Sequence, residues 1–244
     1  MKKLSIISHF YNYHVMVEKQ INYWKSLPNQ LKENIEFILI DDCSDNDCNF
    51  NYETLDVKMY RITSDISWNQ AGARNLGAFQ ASCEWGLFMD IDQFFYAQPF
   101  ENLILNLDRL NTNSMYYFQI KELIDTTVNK PLSHAPSTFL THLPTFRDNG
   151  MYDEDFTGHY GYEDLYLPRV WEKNGGELTL FSDTIYFEDL GFSTQNLSRD
   201  LTRNNALAQF KLATGTKNSA SLLRFEWHRL KPLPNKGLSE TQSS

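Results

Sequence analysis

Apolar residues in the first third of this chain fall in short runs of strand length, separated by segments of helical spacing. Leu4 to Ile7 and Ile35 to Ile40 are two such runs, and Val57 to Ile62 reads as a third strand. Runs without polar alternation suit strands buried on both faces of a parallel or mixed sheet. Between the first two, Val17, Ile21 and Trp24 recur at helical spacing, and Pro28 closes that helix. Gly72, Leu76, Phe79 and Cys83 mark one face of a helix over about 69–83, which leads into a fourth run, Trp85 to Asp92. Strand, helix and strand in this order predict a parallel sheet with right-handed crossovers. Its polar residues follow the strands, so they gather at one edge of the sheet.

Beyond Asp92 the pattern loosens. It predicts a helix near 101–110, strands over Met115 to Leu123 and Ser137 to His142, and a loop over 144–162 rich in Asp, Gly and aromatic residues. A helix follows over about 164–174, stopped by Asn174-Gly175-Gly176. Two short strands, 177–181 and 184–188, precede a last helix near 197–213. The segment from Lys231 onward carries two prolines and a Ser/Thr/Gln end, and reads as a disordered tail. The expectation is one α/β domain over 1–230, a mixed sheet with helices on both faces, followed by a tail over 231–244.

Composition narrows the function. Hydrophobic residues make up 41% and aromatics 14% of 244 residues, enough for one sizeable core. The net charge of −9 argues against nucleic acid as the main partner, because phosphate binding calls for a basic surface. Three cysteines, Cys43, Cys48 and Cys83, make neither a Cys-x-x-Cys pair nor a disulfide framework, and fit a reducing compartment. The first residues turn polar too soon for a signal peptide, and no segment nears the ~20 apolar residues of an integral membrane span. These features predict a cytoplasmic protein, at most peripheral to a membrane.

The candidate chemistry starts where the fourth run ends, in Asp90-Ile91-Asp92. Loops at the ends of buried strands are where open α/β sheets place ligands. Two acids there need a cation, a proton or a positively charged substrate; a hard divalent metal that also holds a diphosphate would serve. On the motif alone the plainer reading is that they begin a solvated turn, since Asp-x-Asp is common by chance. Asp41 and Asp42 follow the second strand, where they could bind a ligand or cap a turn. Arg74 offers a planar fork to a phosphate or carboxylate, and Tyr11 offers a ring edge or a core tyrosine.

Phe10-Tyr11-Asn12, Ile40-Asp41-Asp42-Cys43-Ser44, Ala73-Arg74-Asn75-Leu76-Gly77 and Asp90-Ile91-Asp92, in that order, resemble the family 2 glycosyltransferases of the GT-A fold. Tyr152-Asp153-Glu154-Asp155-Phe156 and Gly161-Tyr162-Glu163-Asp164-Leu165 resemble the acceptor-side motif of galactosyltransferase-like members. The resemblance covers about 4–190. It implies a Rossmann-like nucleotide-binding sheet and a donor nucleotide held by Tyr11, Asp42, Arg74 and Asp90. It also implies Mn²⁺ or Mg²⁺ on Asp92 and Asp90, an acceptor sugar beside Tyr160 and Glu163, and Asp164 as catalytic base, with Asp155 next in line.

The chain departs from the pattern in places. Family members often take a further metal ligand, a histidine, from the C-terminal part; here Glu188-Asp189 stands there. Glu188 is therefore the expected third ligand, ahead of His159 and His228. His9 takes a position where the family often has a small polar residue. The loop at Gly158-His159-Tyr160-Gly161 is one residue longer, and Tyr162 replaces a glycine, which should narrow the acceptor pocket.

The reading is an inverting, metal-dependent glycosyltransferase that takes a nucleoside-diphosphate sugar, a UDP-sugar above others, to a hydroxyl of a glycan or lipid-linked glycan. The rivals are a degenerate sugar-nucleotide or glycan-binding module and a sugar nucleotidyltransferase. The last would want a Gly-rich basic loop, and residues 8–14 hold neither glycine nor lysine.

Overall fold

The structure is a computed structural model that describes residues 2–122, 136–181, 186–189, 198–216, 219 and 221–232. Strand β1 (Leu4–Phe10) is followed by helix α1 (His14–Ser26), whose buried Met16, Val17, Gln20, Ile21 and Trp24 repeat every three or four residues. Leu27 is extended and Pro28 ends the helix, with a single turn α2 (Asn29–Lys32) beyond it. β2 (Ile35–Asp41) is buried throughout, β3 (Val57–Ile62) largely so. Helix α3 (Gln70–Gln80) then leads into β4 (Trp85–Phe88). β2 pairs in parallel with β1 and β3, and β1 in parallel with β4, as the order of elements predicted.

Alternate residues of these strands serve two cores on opposite faces of the sheet. Leu4, Ile6, Phe37, Leu39 and Leu87 pack with α1 in one; Trp24 stacks on Phe37 with ring centroids 4.3 Å apart. Ile7, Ile38, Ile40 and Phe88 pack with Ala73, Leu76 and Ala78 of α3 in the other. Each of these Leu, Ile and Phe side chains, buried from water, contributes about 1.5–3 kcal/mol. Gly77 lets α3 lie close on β1: a Cβ there would meet Ile7 at 2.3 Å. Phe79, expected on the buried face, is 58% exposed, because the packed stripe runs through Ala73, Leu76 and Gly77 instead.

The second half completes a mixed sheet. Its elements are β5 (Gln93–Phe95), α4 (Ala97–Leu105), β6 (Ser114–Tyr117), β7 (Gln119–Glu122), β8 (Phe139–His142) and α5 (Leu143–Asp148). They continue as α6 (Glu163–Lys173), β9 (Glu177–Leu180), β10 (Tyr186–Asp189), α7 (Thr202–Thr214) and β11 (Trp227–Leu230). Eight strands form one sheet in the order β11-β3-β2-β1-β4-β8-β6-β9, and β5-β10-β7 form a second.

Three expectations change here. The run at 115–123 is two strands in two different sheets. The expected loop at 144–162 begins with α5, which Pro144 opens and whose Leu143 and Phe146 are wholly buried. The short β11, not expected from its sequence, pairs antiparallel with β3 and borders the sheet. Most of the tail expected from Lys231 onward lies outside the described residues.

Candidate active site

Phe10 lies opposite Asp41 and Ile7 opposite Phe88, so Tyr11, Asp42 and Asp90 leave the sheet at one edge. The loops after β1 and β2 are latched together. Asn12, at φ 52°, donates its backbone N–H to Ser44 Oγ (2.9 Å) and its side-chain amide to Asp45 (3.0 Å), while its Oδ1 accepts from Asp45 N–H (2.7 Å).

The two acids after β2 have separate tasks. Asp41 caps the turn: it accepts from Ser44 N–H at 2.9 Å and Cys48 Sγ at 3.0 Å, and pairs with Arg61 at 3.2 Å. Asp42 instead accepts from the side-chain amide of Asn69 at 2.8 Å. Burial pushes its carboxyl up to about 7; the Asn69 bond opposes this, while Asp41 and Asp65 add to it. Tyr11 beside it is 44% exposed, its phenol raised by burial and then by the charges of Asp65 and Asp45.

Arg74 ties the end of β4 to residues 137 and 152. Projecting from α3, it is 0% exposed and reaches Asp90 at 2.5 Å through Nη2. Its Nη1 donates to the Ser137 carbonyl and, at 3.1 Å, to Tyr152 Oη. Ser137 Oγ donates to the other oxygen of Asp90 at 2.9 Å, and Asp90 N–H donates to Gln93 Oε1 at 3.0 Å. Thus Arg74, expected at the donor nucleotide, meets a carboxylate and is shielded from solvent. His9, at the end of β1, feels the same pair: burial, then the Arg74 charge, lower its ring to about 3, with Asp90 opposing, so it is neutral.

Asn75, the next residue of α3, binds the backbone of the acceptor-side motif. It donates to Tyr152 O and Glu154 Oε1, both at 2.9 Å, and accepts from Tyr152 N–H at 3.0 Å. That segment runs on to Tyr162, at φ 74°, where α6 begins. Tyr162 itself is the N-cap residue, so Glu163 and Asp164 lie in the first turn, where the helix dipole favours their charge. Asp164 is therefore not the cap. Burial raises its carboxyl; Arg74 opposes and Asp90 adds to the rise, which sets the predicted base within the field of the Arg74–Asp90 pair. Glu163 is buried with Oε2 unpartnered among the described residues, and burial followed by the Asp164 charge pushes it up to about 7.

Asp155, next in line as base, is held by Lys211 at 2.7 Å and Arg224 at 3.4 Å. Burial, the largest single influence, would raise it, but the Lys211 bond and charge together with Ser219 and Arg224 outweigh burial and the carboxyl stays below its usual value, which makes it an anchor. Tyr160 meets Trp68 edge to face at 4.6 Å, and Arg199 lies 5.6 Å from its ring. Tyr162, expected to narrow the acceptor pocket, packs against Phe156, Tyr166 and Ala208.

Among the described residues no three His, Cys, Asp or Glu side chains cluster to hold a metal by themselves. Asp92 lies half-buried in the turn between β4 and β5, beside an Asp90 engaged by Arg74 and Ser137. Such an oxygen-only set fits a hard divalent ion carried on one or two carboxylates and completed by substrate phosphates, as Mg²⁺ sites commonly are. Register sets Glu188 opposite Phe94 and Asp189 opposite Gln93, so β10 runs beside the strand that follows Asp92. The side chains of β10 lie outside the described residues. His228 is no ligand for Asp92: three strands separate β11 from β4. His159 is exposed in the loop that precedes α6.

Sequence reasoning missed Trp68 and Asn69. Trp68 has φ 51°, rare for a bulky residue, and Ser67 O accepts from Gly158 N–H at 2.8 Å, tying this turn to the loop that precedes α6. An aromatic residue and an amide just ahead of a helix were the available signal.

The family model for glycosyl transferase family 2 matches residues 5–173. No curated protein matches the chain. Among solved structures, S. aureus TarS 1–349 superposes with a TM-score of 0.57 at 18% identity, over 77% of this chain and 60% of that one. The same TarS fragment in complex with UDP-GlcNAc gives 0.60 at 17% identity, over 80% and 61%; in complex with UDP it gives 0.55 at 18%, over 76% and 60%. At these identities the likeness is one of fold, and the chain spans about three fifths of the TarS fragment.

Proposed function

The chain belongs to glycosyl transferase family 2, and on that premise we propose that it moves a sugar from a UDP-sugar to an acceptor hydroxyl with inversion at the anomeric carbon. The observation that carries this reading is the buried Arg74, which ties the donor-side Asp90 to Tyr152, at the start of the segment that leads to Asp164. A UDP donor is supported by the TarS complexes with UDP-GlcNAc and UDP, whose fold the chain shares.

Asp42, held by Asn69 and free of the turn that Asp41 caps, accepts from the base and ribose of the nucleotide, with the Tyr11 ring beside it. Arg74 acts through Asp90, holding that carboxylate in place. Asp92 with Glu188, and Asp90 at second rank, would hold a Mn²⁺ or Mg²⁺ ion. When bound, such an ion assists departure of the diphosphate, which is worth several kcal/mol. Asp164 removes the proton from the acceptor hydroxyl, and the freed oxygen attacks the anomeric carbon from the face opposite the leaving group. No separate nucleophile stands in this set, which supports a single displacement. Burial suits Asp164 to the task, since a raised carboxyl is a better base. Glu163, with its unpartnered oxygen, accepts a hydroxyl of the acceptor glycan, and Tyr160 offers its ring to a sugar face.

The test is hydrolysis of nucleotide sugars without acceptor, screened over UDP-, GDP- and dTDP-sugars in Mn²⁺. Turnover of a UDP-sugar, absent in EDTA, supports the reading. Turnover of none, with no binding of UDP, contradicts it.

A further inference from the structure

The loop from Phe156 to Tyr162, which carries Tyr160 and delivers Glu163 and Asp164, turns on three residues of positive φ: Gly158 at 87°, Gly161 at 76° and Tyr162 at 74°. Such a backbone directs several carbonyls to one side, where they need donors. Asn204 supplies them. Its side-chain amide, on α7, donates to Phe156 O at 3.0 Å, His159 O at 3.0 Å and Gly161 O at 2.7 Å, and the residue is 0% exposed. Two N–H groups shared among three carbonyls leave no spare donor. Asn204 Oδ1 accepts from Arg203 at 2.7 Å, which also donates to Asp155 O at 2.6 Å. Two helical turns on, Lys211 is buried between Asp153 at 2.6 Å and Asp155 at 2.7 Å. The apolar cluster joining α7 to this loop is small, with Phe156, Tyr166 and Ala208 at its centre. Polar bonds therefore decide the shape of the loop.

We infer that Asn204 is a positioning residue for sugar transfer: its amide holds loop 156–162 in the shape that presents Tyr160, Glu163 and Asp164 to the acceptor. The inference rests on the reading of those three as the acceptor side. It extends the working site to α7, which lies beyond residue 173, where the family match ends. The donor side is held by other elements: Asp42 by Asn69, and Asp90 by Arg74 and Ser137. Loss of the amide should then separate the two halves of the reaction.

Asn204→Asp is nearly isosteric and replaces the donor by an acceptor-only carboxylate; Asn204→Ser keeps one donor. Transfer from a UDP-sugar to methyl glycosides, acceptor-free hydrolysis, UDP affinity by calorimetry and hydrogen exchange of amides 157–162 are compared with the unaltered chain. The expected result is an acceptor KM raised about 10–100-fold in Asn204→Asp, as small misplacements of reacting groups commonly cause. Exchange over 157–162 should be faster, hydrolysis and UDP affinity should stay within twofold, and Asn204→Ser should lie between. Unchanged exchange and acceptor KM overturn the inference, and so does a parallel fall in UDP affinity. Should Asn204→Asp fail to fold, Asn204→Ser with unaltered exchange and KM overturns it equally. An unaltered chain that neither hydrolyses nor transfers from any UDP-sugar contradicts the proposed function instead. In that case exchange over 157–162 alone decides whether Asn204 holds the loop: faster exchange supports it, and unaltered exchange overturns it.

Discussion

Arg74 and Asp90, 16 residues apart, meet at 2.5 Å with the guanidinium wholly buried and the carboxylate one third exposed. The pair fixes one carboxylate of the Asp-x-Asp motif from helix α3. A lysine keeps the charge but cannot reach Asp90, Ser137 and Tyr152 at once from one ammonium. Arg74→Lys should lose about 2–4 kcal/mol of stability, because it strands buried polar partners. UDP affinity should fall about tenfold as Asp90 loses its place. Thermal melts with calorimetry check both; an unaltered melt would show that the pair is not a structural tie.

Asp42 links stability to pH. Its folded carboxyl is raised from an ordinary value of 3.8 to about 7, so the folded state prefers the proton. The associated stability is fully present below the unfolded value and is lost as pH rises towards 7. Asp42→Asn has no such loss and keeps an oxygen for Asn69. It should match the parent below pH 4, gain progressively to pH 7, and level off above, by an amount of order 1–4 kcal/mol. UDP affinity should fall at the same time. Melts from pH 4 to 8.5 read the difference, and a gain that did not grow with pH would contradict the buried, protonated carboxyl.

Without a cation, the carboxylates of Asp90 and Asp92 repel a diphosphate. UDP should bind at least tenfold more weakly in EDTA than in Mn²⁺. Asp92→Ala should abolish that difference while leaving the melt nearly unaltered, since a turn acid adds little to the core. Glu188→Gln should weaken Mn²⁺ binding. Equal UDP affinity with and without the ion would dispose of the metal.

Much of the sheet was legible because its strands carry their own signal. Ile35 to Ile40 is apolar but for Glu36, and so short a run suits a strand buried on both faces. The candidate site was half legible. Asp42 and Asp90 follow recognisable strands and Asp164 opens a recognisable helix, but what each touches depends on partners elsewhere in the chain. That Asp41 caps its turn follows from Arg61 and Cys48, and that Arg74 is buried follows from Ser137 and Tyr152. Trp68 and Asn69 were passed over because their importance lies in a turn of unusual φ, which single-residue propensities do not reveal. Asn204 was illegible for a further reason: an asparagine on a helix is ordinarily solvated, and only the folding back of 156–161 surrounds it with carbonyls.

If Asp164 takes the proton from the acceptor hydroxyl, Asp164→Asn removes that proton acceptor and little else. Asp164 lies in the first turn of α6 but does not cap it, and asparagine fills the same volume. The variant should keep its melting temperature within about 1 °C and its UDP affinity within about twofold, since neither depends on a proton acceptor there. Sugar transfer should fall by about 10²–10⁴, the usual share of a general base. Transfer at close to the unaltered rate, with UDP still bound, would contradict the account and move the base to Glu163, the neighbouring carboxyl that burial raises to about 7.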